Sequence, residues 1–213
     1  MKAIEDMIEH LRNKPEYLEF EARLGYYKGH FVTNVGESFF NRIHDWVAKC
    51  PDITQTEKTE HHDFTYIHNG ERLRTRVIFD AMDMNMKKHT VYKQRIKDVT
   101  LNAQNGSGLC TRIQLSSETP YLGTLPSVTS TEHMRIVQRK SYTIGPWRYD
   151  FSKVCEGKNR MEAEENKENC KFHYEIECEL VDLSYLKTRN NEYVAESTLL
   201  KMKDLANTDW ILT

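Results

Sequence analysis

The seven residues Tyr174-Glu175-Ile176-Glu177-Cys178-Glu179-Leu180 alternate glutamate with an apolar or aromatic side chain without a break. A period of two is the signature of a β-strand, where successive glutamates share a face roughly 6.5–7 Å apart at a rise of about 3.3 Å per residue. Near the N-terminus, Leu18-Glu19-Phe20-Glu21-Ala22-Arg23-Leu24 repeats the pattern, with Glu19, Glu21 and Arg23 on one face and Leu, Phe, Ala and Leu on the other. Taken singly, either stretch reads as a half-buried strand whose charges meet water. Taken together, the five glutamates repel one another if the strands are neighbours, and glutamate is disfavoured in strands. A cation between the two rows removes that repulsion, and hard divalent ions such as Mg²⁺ or Mn²⁺ take the oxygen ligands on offer.

Ile4, Met7, Ile8 and Leu11 recur at helical spacing, which predicts an α-helix over 2–13 ended by Pro15. Phe39, Phe40, Ile43, Trp46 and Val47 mark a second amphipathic helix over about 36–48, stopped by Cys50-Pro51. Val194, Leu199, Met202 and Leu205 mark a C-terminal helix over about 190–206. Between Ile53 and Leu180 about seven strands are expected, with turns at Asn69-Gly70, Asn105-Gly106, Gly123 and Gly145-Pro146. The stretch 156–169 is highly charged and reads as a solvated loop before the last strand.

The strands share a habit. One face of 72–79 carries Arg72, Arg74 and Arg76, and the other carries Leu73, Thr75, Val77 and Phe79. Over 92–97, Lys93, Arg95 and Lys97 oppose Tyr92, Gln94 and Ile96. The stretch 111–118 groups Arg112, Gln114, Ser116 and Glu118, and 134–141 groups Arg135 and Arg139. Over 147–153, Arg148, Asp150 and Ser152 oppose Trp147, Tyr149 and Phe151. An open antiparallel sheet would put these charges in water. Three amphipathic helices, however, need an apolar sheet face to cover, and closing about eight strands into a barrel makes the charged faces the lining of a hydrated tunnel. The expected fold is therefore mainly β within α+β: a closed eight-stranded antiparallel β-barrel with covering helices. At 213 residues and 38% hydrophobic, the chain is long enough for one sizeable core, so a single domain over 1–213 is expected, its tunnel strands and one helix spanning 17–182. Metal together with guanidinium groups equips such a lumen for a polyphosphate, since arginine forks bind phosphate oxygens and a cation bridges them.

Several classes fall away. The formal net charge of −2 rules out nucleic-acid binding by a bulk positive field and leaves room for a local basic channel. No stretch approaches the roughly 20 apolar residues of a membrane span, and Met1-Lys2-Ala3-Ile4-Glu5-Asp6 is not a signal peptide, so an intracellular protein without a membrane partner is expected. Cys50, Cys110, Cys155, Cys170 and Cys178 form no C-x-x-C pair and are expected to be free thiols. His61-His62, with His68 nearby, reads as a solvated pair, because adjacent strand residues point to opposite faces. Neither G-x-x-x-x-G-K-[ST] nor G-x-G-x-x-G occurs, which leaves any phosphate chemistry to side chains.

Five segments in order carry a resemblance: Glu-Phe-Glu-Ala-Arg-Leu-Gly at 19–25, Leu-Arg-Thr at 73–75, Arg-Lys-Ser-Tyr at 139–142, Trp-Arg-Tyr-Asp-Phe-Ser-Lys-Val at 147–154 and Tyr-Glu-Ile-Glu-Cys-Glu-Leu at 174–180. The chain resembles the metal-dependent RNA 5′-triphosphatases of fungal and large-DNA-virus type, within the triphosphate tunnel metalloenzymes. The resemblance implies an eight-stranded tunnel that removes the γ-phosphate from the 5′ end of nascent RNA, the first step of mRNA capping, with Mg²⁺ or Mn²⁺ as cofactor and nucleoside triphosphates as further substrates. It implies Glu19, Glu21 and Glu179 as metal ligands, with Glu175 and Glu177 holding metal-bound water and neighbouring arginines. Arg74, Lys93, Arg135 and Arg139 match triphosphate contacts, Arg74 and Arg139 acting in catalysis, and the basic rows add Arg112 and Arg148. Glu118 matches the carboxylate that positions or deprotonates the attacking water, and Asp150 matches a tunnel-floor carboxylate.

One position departs from the pattern. Many relatives carry R-x-K-x-R where this chain has Arg135, Val137 and Arg139, so either the register differs and Lys140 or Lys153 supplies the charge, or fewer cations are used. The C-x₅-R of the metal-independent cysteine triphosphatases is missing, as is the K-x-D-G of guanylyltransferases. The resemblance therefore implies an RNA guanylyltransferase on another chain or domain, and a nucleus, viral factory or virion as setting. Two other readings stay open. A hydrolase of inorganic tripolyphosphate or thiamine triphosphate usually shows E-x-E-x-K where this chain has Arg23, and a non-catalytic module binding polyphosphate or RNA ends would be weakened by five lumen glutamates without a metal.

Overall fold

In the computed structural model the described residues are 1–14, 16–68, 70–79, 86–104, 106–124, 132–207 and 210–212. The strands are β1 (Leu18–Tyr27), β2 (Phe31–Val32), β3 (Ile53–His68), β4 (Glu71–Phe79), β5 (Met86–Ala103), β6 (Leu109–Pro120), β7 (His133–Ile144), β8 (Trp147–Gly157), β9 (His173–Leu180) and β10 (Trp210–Leu212). All their pairings are antiparallel, and eight of them close on themselves in the order β5-β4-β3-β7-β8-β9-β1-β6, with β6 bonded to both β1 and β5. The short β2 and β10 extend the sheet beside β1 and β5 and were not foreseen. Pro15, Asn69, Asn105 and the side chain of Phe79, each given a role above, lie outside the described residues. At the β7–β8 turn, Gly145 has φ +56, a left-handed conformation that glycine adopts without a Cβ clash.

The apolar faces of the strands turn outward to helices. On α1 (Lys2–Asn13), the stripe Ile4, Met7, Ile8 and Leu11 is fully buried in one core with Phe20, Ala22 and Leu24 of β1 and Ile113 and Leu115 of β6. The same core takes Val194, Ala195, Met202 and Leu205 from α4 (Asn191–Ala206). Arg12 fastens the two helices: its guanidinium donates to Asn191 Oδ1 at 3.1 Å, to the Arg189 carbonyl at 2.8 Å and to the Leu186 carbonyl. From α2 (Glu37–Val47), Phe40 packs edge-on to Phe151 of β8 at 5.6 Å and to Tyr174 of β9 at 5.2 Å. No helix is long and apolar enough to cross a membrane among the described residues.

Two local readings are corrected. The stretch expected to be a solvated loop contains α3 (Arg160–Glu168). It forms without an apolar stripe because local polar contacts suffice: Asn159 caps it by accepting from Glu162 N at 3.0 Å, and Arg160 pairs with Glu164 at 2.7 Å one turn on. Ala163 is its single buried contact with β7 and β8, and a Cβ on Gly157 would stand 2.5 Å from the Ala163 nitrogen, so glycine there permits the close approach. The second correction concerns Lys97. A β-bulge shifts the β5–β6 register between Arg95 and Lys97, and one inserted residue exchanges the faces of everything beyond it. Lys97 therefore leaves the basic row and meets Asp6 of α1 at 3.3 Å, while Asp98 takes its place near Arg95 and Arg112.

The division of each strand into a packing face and a lumen face is testable at β8. Phe151 is 1% exposed, whereas its neighbours Asp150 and Ser152 face Arg139 on the other side of the strand. Phe151→Ala is expected to destabilise the protein by about 3–5 kcal/mol, read as a lower denaturant midpoint. An unchanged midpoint would mean that the barrel's outer face is not its core.

Candidate active site

The acidic rows meet as the alternation requires. β1 and β9 are neighbours, with Glu21 directly opposite Glu179 and Arg23 opposite Glu177. Each predicted metal ligand is turned to a cation: Glu19 accepts from Lys93 at 2.7 Å, Glu21 from Arg23 at 2.9 Å, and Glu179 from Arg148 at 2.5 Å. Burial first, then the charges of Glu19, Asp150 and Glu21, push the Glu179 carboxyl up to about 8 against the pull of Arg148. Burial and the neighbouring carboxylates together thus outweigh Arg148 at this point of the wall.

Glu175 and Glu177 hold arginines in place. Glu175 accepts from Arg135 at 2.6 Å and from Thr33 at 2.8 Å, and Glu177 lies 3.2 Å from Arg23 and 3.3 Å from Arg139. Burial disfavours the Glu177 carboxylate, but Arg23, Arg139 and Arg135 outweigh it and hold the group at about 2. Asp150, fully buried, accepts from Arg139 at 2.8 Å and Arg148 at 3.0 Å, as a floor to both. Glu118 accepts from Lys93 at 2.7 Å and from Arg74. Against burial, those two cations hold its carboxyl at about 2. A group so acidic stays ionised at neutral pH and is a poor proton acceptor.

Arg112 stands apart. It pairs across β1–β6 with Arg23, lies 3.6 Å from Asp98, and stacks over the Phe31 ring at 4.1 Å. The question at Val137 is settled by the register: Val137 pairs with Val154 and His61, on the same face as Arg135 and Arg139. Lys140 and Lys153 lie on the outer face, over the rings of Tyr142 and Tyr174, so neither replaces the missing lysine.

Some lumen residues have no site role in the sequence reading. Asp63 of β3 grips Arg76 of β4 through two bonds of 2.8 and 2.9 Å, and Arg76 together with Arg74 holds the Asp63 carboxyl well below its usual range despite burial. Arg23 bridges Glu21 and Glu177. His61, expected in water, is 2% exposed. The signal was available as parity with Arg74 and Arg135, their cross-strand neighbours' row, but β3 is polar on both faces over 54–60 and shows no contrast to read.

Two features bear on what the lumen takes up. The Nε atoms of Arg23, Arg74 and Arg112 are buried without hydrogen-bond partners, an unfavourable arrangement that oxygens of an anion would relieve. Among the described residues, no three Asp, Glu, His or Cys side chains already surround one ion position, since each carboxylate leans to its own cation. The donors nonetheless fit a hard divalent cation: they are carboxylate oxygens only, Glu21 and Glu179 are cross-strand partners, and a cation would offset both the burial and the neighbouring carboxylates that raise Glu179.

A closed β-barrel whose lumen sets carboxylates against arginines and a lysine is the scaffold of a phosphoanhydride hydrolase of the RNA triphosphatase class. The chain belongs to the family described as mRNA capping enzyme, beta chain, whose model matches residues 18–206. No curated protein is a detectable sequence relative. Among solved structures, the S. pombe Pct1 RNA triphosphatase shares the fold with a TM-score of 0.70 at 18% identity, over 96% of this chain and 90% of that one. Pct1 in complex with the Spt5 CTD gives a TM-score of 0.67 at 15% identity, over 96% and 87%. The RNA triphosphatase domain of a trifunctional mimivirus mRNA capping enzyme gives 0.63 at 19% identity, over 95% of each chain. The fold is therefore shared with both of these proteins.

Proposed function

We propose that the lumen hydrolyses the γ-phosphate of 5′-triphosphate RNA, leaving a 5′-diphosphate end for capping, with Mg²⁺ or Mn²⁺ as the ion. The observation that carries this reading is the pairing of Glu21 with Glu179 beside Glu19, opposite rows of guanidinium groups. Glu19, Glu21 and Glu179 would hold the cation, which supplies charge neutralisation at the γ-phosphate. Arg139, set by Asp150, Ser152 and Glu177, aims its fork at the phosphate, and Arg74 and Lys93 do so from the β4–β5 side. Arg135 and Arg148 extend the cationic wall, and Arg112, over the Phe31 ring and opposite Arg23, adds a further cation. Glu118, ionised between Arg74 and Lys93, orients the water for in-line attack.

As substrate enters, its oxygens replace carboxylates as partners of these cations, and the freed carboxylates become available to the ion. Nucleoside triphosphates present the same three phosphates and should be hydrolysed too. The product end suits a guanylyltransferase on another chain or domain, and the setting would be intracellular, in a nucleus, a viral factory or a virion. The test is release of label from γ-labelled 5′-triphosphate RNA with Mg²⁺ or Mn²⁺, with inorganic tripolyphosphate and thiamine triphosphate run beside it. RNA with a diphosphate end as the product supports the reading. Preference for the small polyphosphates, or tight binding without any turnover, would overturn it.

A further inference from the structure

On β7, Arg135 and Arg139 lie two residues either side of Val137, and all three share the face that carries the ion pairs to Glu175 and Asp150. Val137 is buried and apolar, so the wall between these guanidinium groups has no cation of its own. The residue directly across from Val137 is His61 of β3, flanked by Thr59 opposite Arg139 and Asp63 opposite Arg135. Its imidazole therefore stands in the gap. Its Nε2 is buried with no hydrogen-bond partner. The nearest carboxylate oxygen, on Asp63, is 3.9 Å away, beyond hydrogen-bond reach, and both oxygens of Asp63 are already taken by Arg76.

We propose that His61 is a further triphosphate contact, its Nε2–H donating to a phosphate oxygen between Arg135 and Arg139 where Val137 leaves the wall without a cation. This rests on the reading of the lumen as a triphosphate site. The charged groups facing the ring are Asp63 on its own strand, Arg76 on β4, and Arg139 and Arg135 on β7. Burial, then Arg76, hold the imidazole down at about 3, so in the ligand-free protein the ring is neutral and adds a donor without repelling its neighbours. An arriving polyanion favours the imidazolium and makes the bond charge-assisted. No carboxylate need be released for its Nε2 to act.

The test measures binding of imidotriphosphate, whose P–N–P bridges resist hydrolysis, by calorimetry in the presence of Mg²⁺. His61→Ala is expected to weaken binding about tenfold or more, the loss of one hydrogen bond to a charged group. His61→Gln, a neutral donor of similar reach, should retain part of the affinity. The double variant His61→Ala with Val137→Lys should recover it, because a cation is restored from the facing strand. Val137→Lys alone should gain less affinity than it does beside His61→Ala, because the histidine already serves the gap; an equal gain in both backgrounds would mark a purely structural histidine and overturn the proposal. A second measurement needs no variant to bind: in wild type labelled with ¹³C at histidine, one buried imidazole resonance, assigned by its absence in His61→Gln, should shift as imidotriphosphate is added. Wild-type affinity in His61→Ala, a double variant no better than the single, or an unmoved resonance would each overturn the proposal. Failure of the wild type itself to bind would instead bring down the triphosphate reading, and this one with it.

Discussion

Glu21→Ala is expected to cut phosphate release by ~1000-fold or more while leaving a folded barrel, and Glu19→Ala and Glu179→Ala to do the same. The size follows from the proposed role: as one of three charged ligands to an ion that would neutralise the reacting phosphate, the side chain is not one contact among many. Glu21→Gln should fail almost as badly, because the amide keeps the bond to Arg23 and Gln114 as a shape but loses the charge. Chelator should reproduce the loss in wild type. A folded Glu21→Ala protein that releases phosphate at the unmutated rate would place the ion elsewhere.

The same cluster makes a prediction about pH. Glu179 sits at about 8 in the metal-free protein, above its ordinary value near 4.5, because burial and Glu19, Asp150 and Glu21 disfavour its charge. A group raised in the folded state contributes stability that is full below about 4.5 and is lost as pH rises through about 8. The melting temperature of metal-free protein should accordingly fall across that window, and added Mg²⁺ should restore more of it at pH 8 than at pH 6, since the ion displaces the proton. Glu179→Gln, which mimics the protonated carboxyl, should flatten the metal-free profile. A wild-type profile that rises instead would contradict the crowding.

The lumen positions of these residues were legible because strand alternation leaves a strong mark when the two faces differ. Glu175, Glu177 and Glu179 alternate with Ile176, Cys178 and Leu180, all of them buried in the helix-covered core. That contrast assigns both faces at once, and the need to cover the apolar one closes the sheet. Where the contrast fades, so does the reading. On β3 the residues from Thr54 to Lys58 are exposed on both faces, so nothing in their pattern marks His61 or Asp63 as lumen residues. At Lys97 the pattern is regular and misleading, since a bulge leaves no trace in charge periodicity. At α3, a helix held by caps and an i,i+4 pair has none of the apolar spacing that marked the other three.

Arg139→Ala should lower the rate per folded molecule by roughly 30- to 1000-fold, the equivalent of about 2–4 kcal/mol in the transition state. Its guanidinium is held at both ends, by Asp150 and Ser152 on one side and Glu177 on the other, so its fork is preorganised before substrate arrives. Removing it does not strand those carboxylates: Asp150 keeps Arg148 at 3.0 Å and Glu177 keeps Arg23 at 3.2 Å. The denaturant midpoint should therefore fall far less than in Phe151→Ala, whose side chain has no replacement. Arg74→Ala should behave alike, with a loss in the same range, because Lys93 stays 2.7 Å from Glu118 and keeps that carboxylate ionised and oriented. Lysine at 139 should rescue only in part, since a point charge attracts phosphate but cannot span two of its oxygens. Arginine variants that lose stability and keep their rate would mean these side chains brace the barrel and leave the phosphate to others, whereas a lost rate at a near-normal midpoint places them on the substrate.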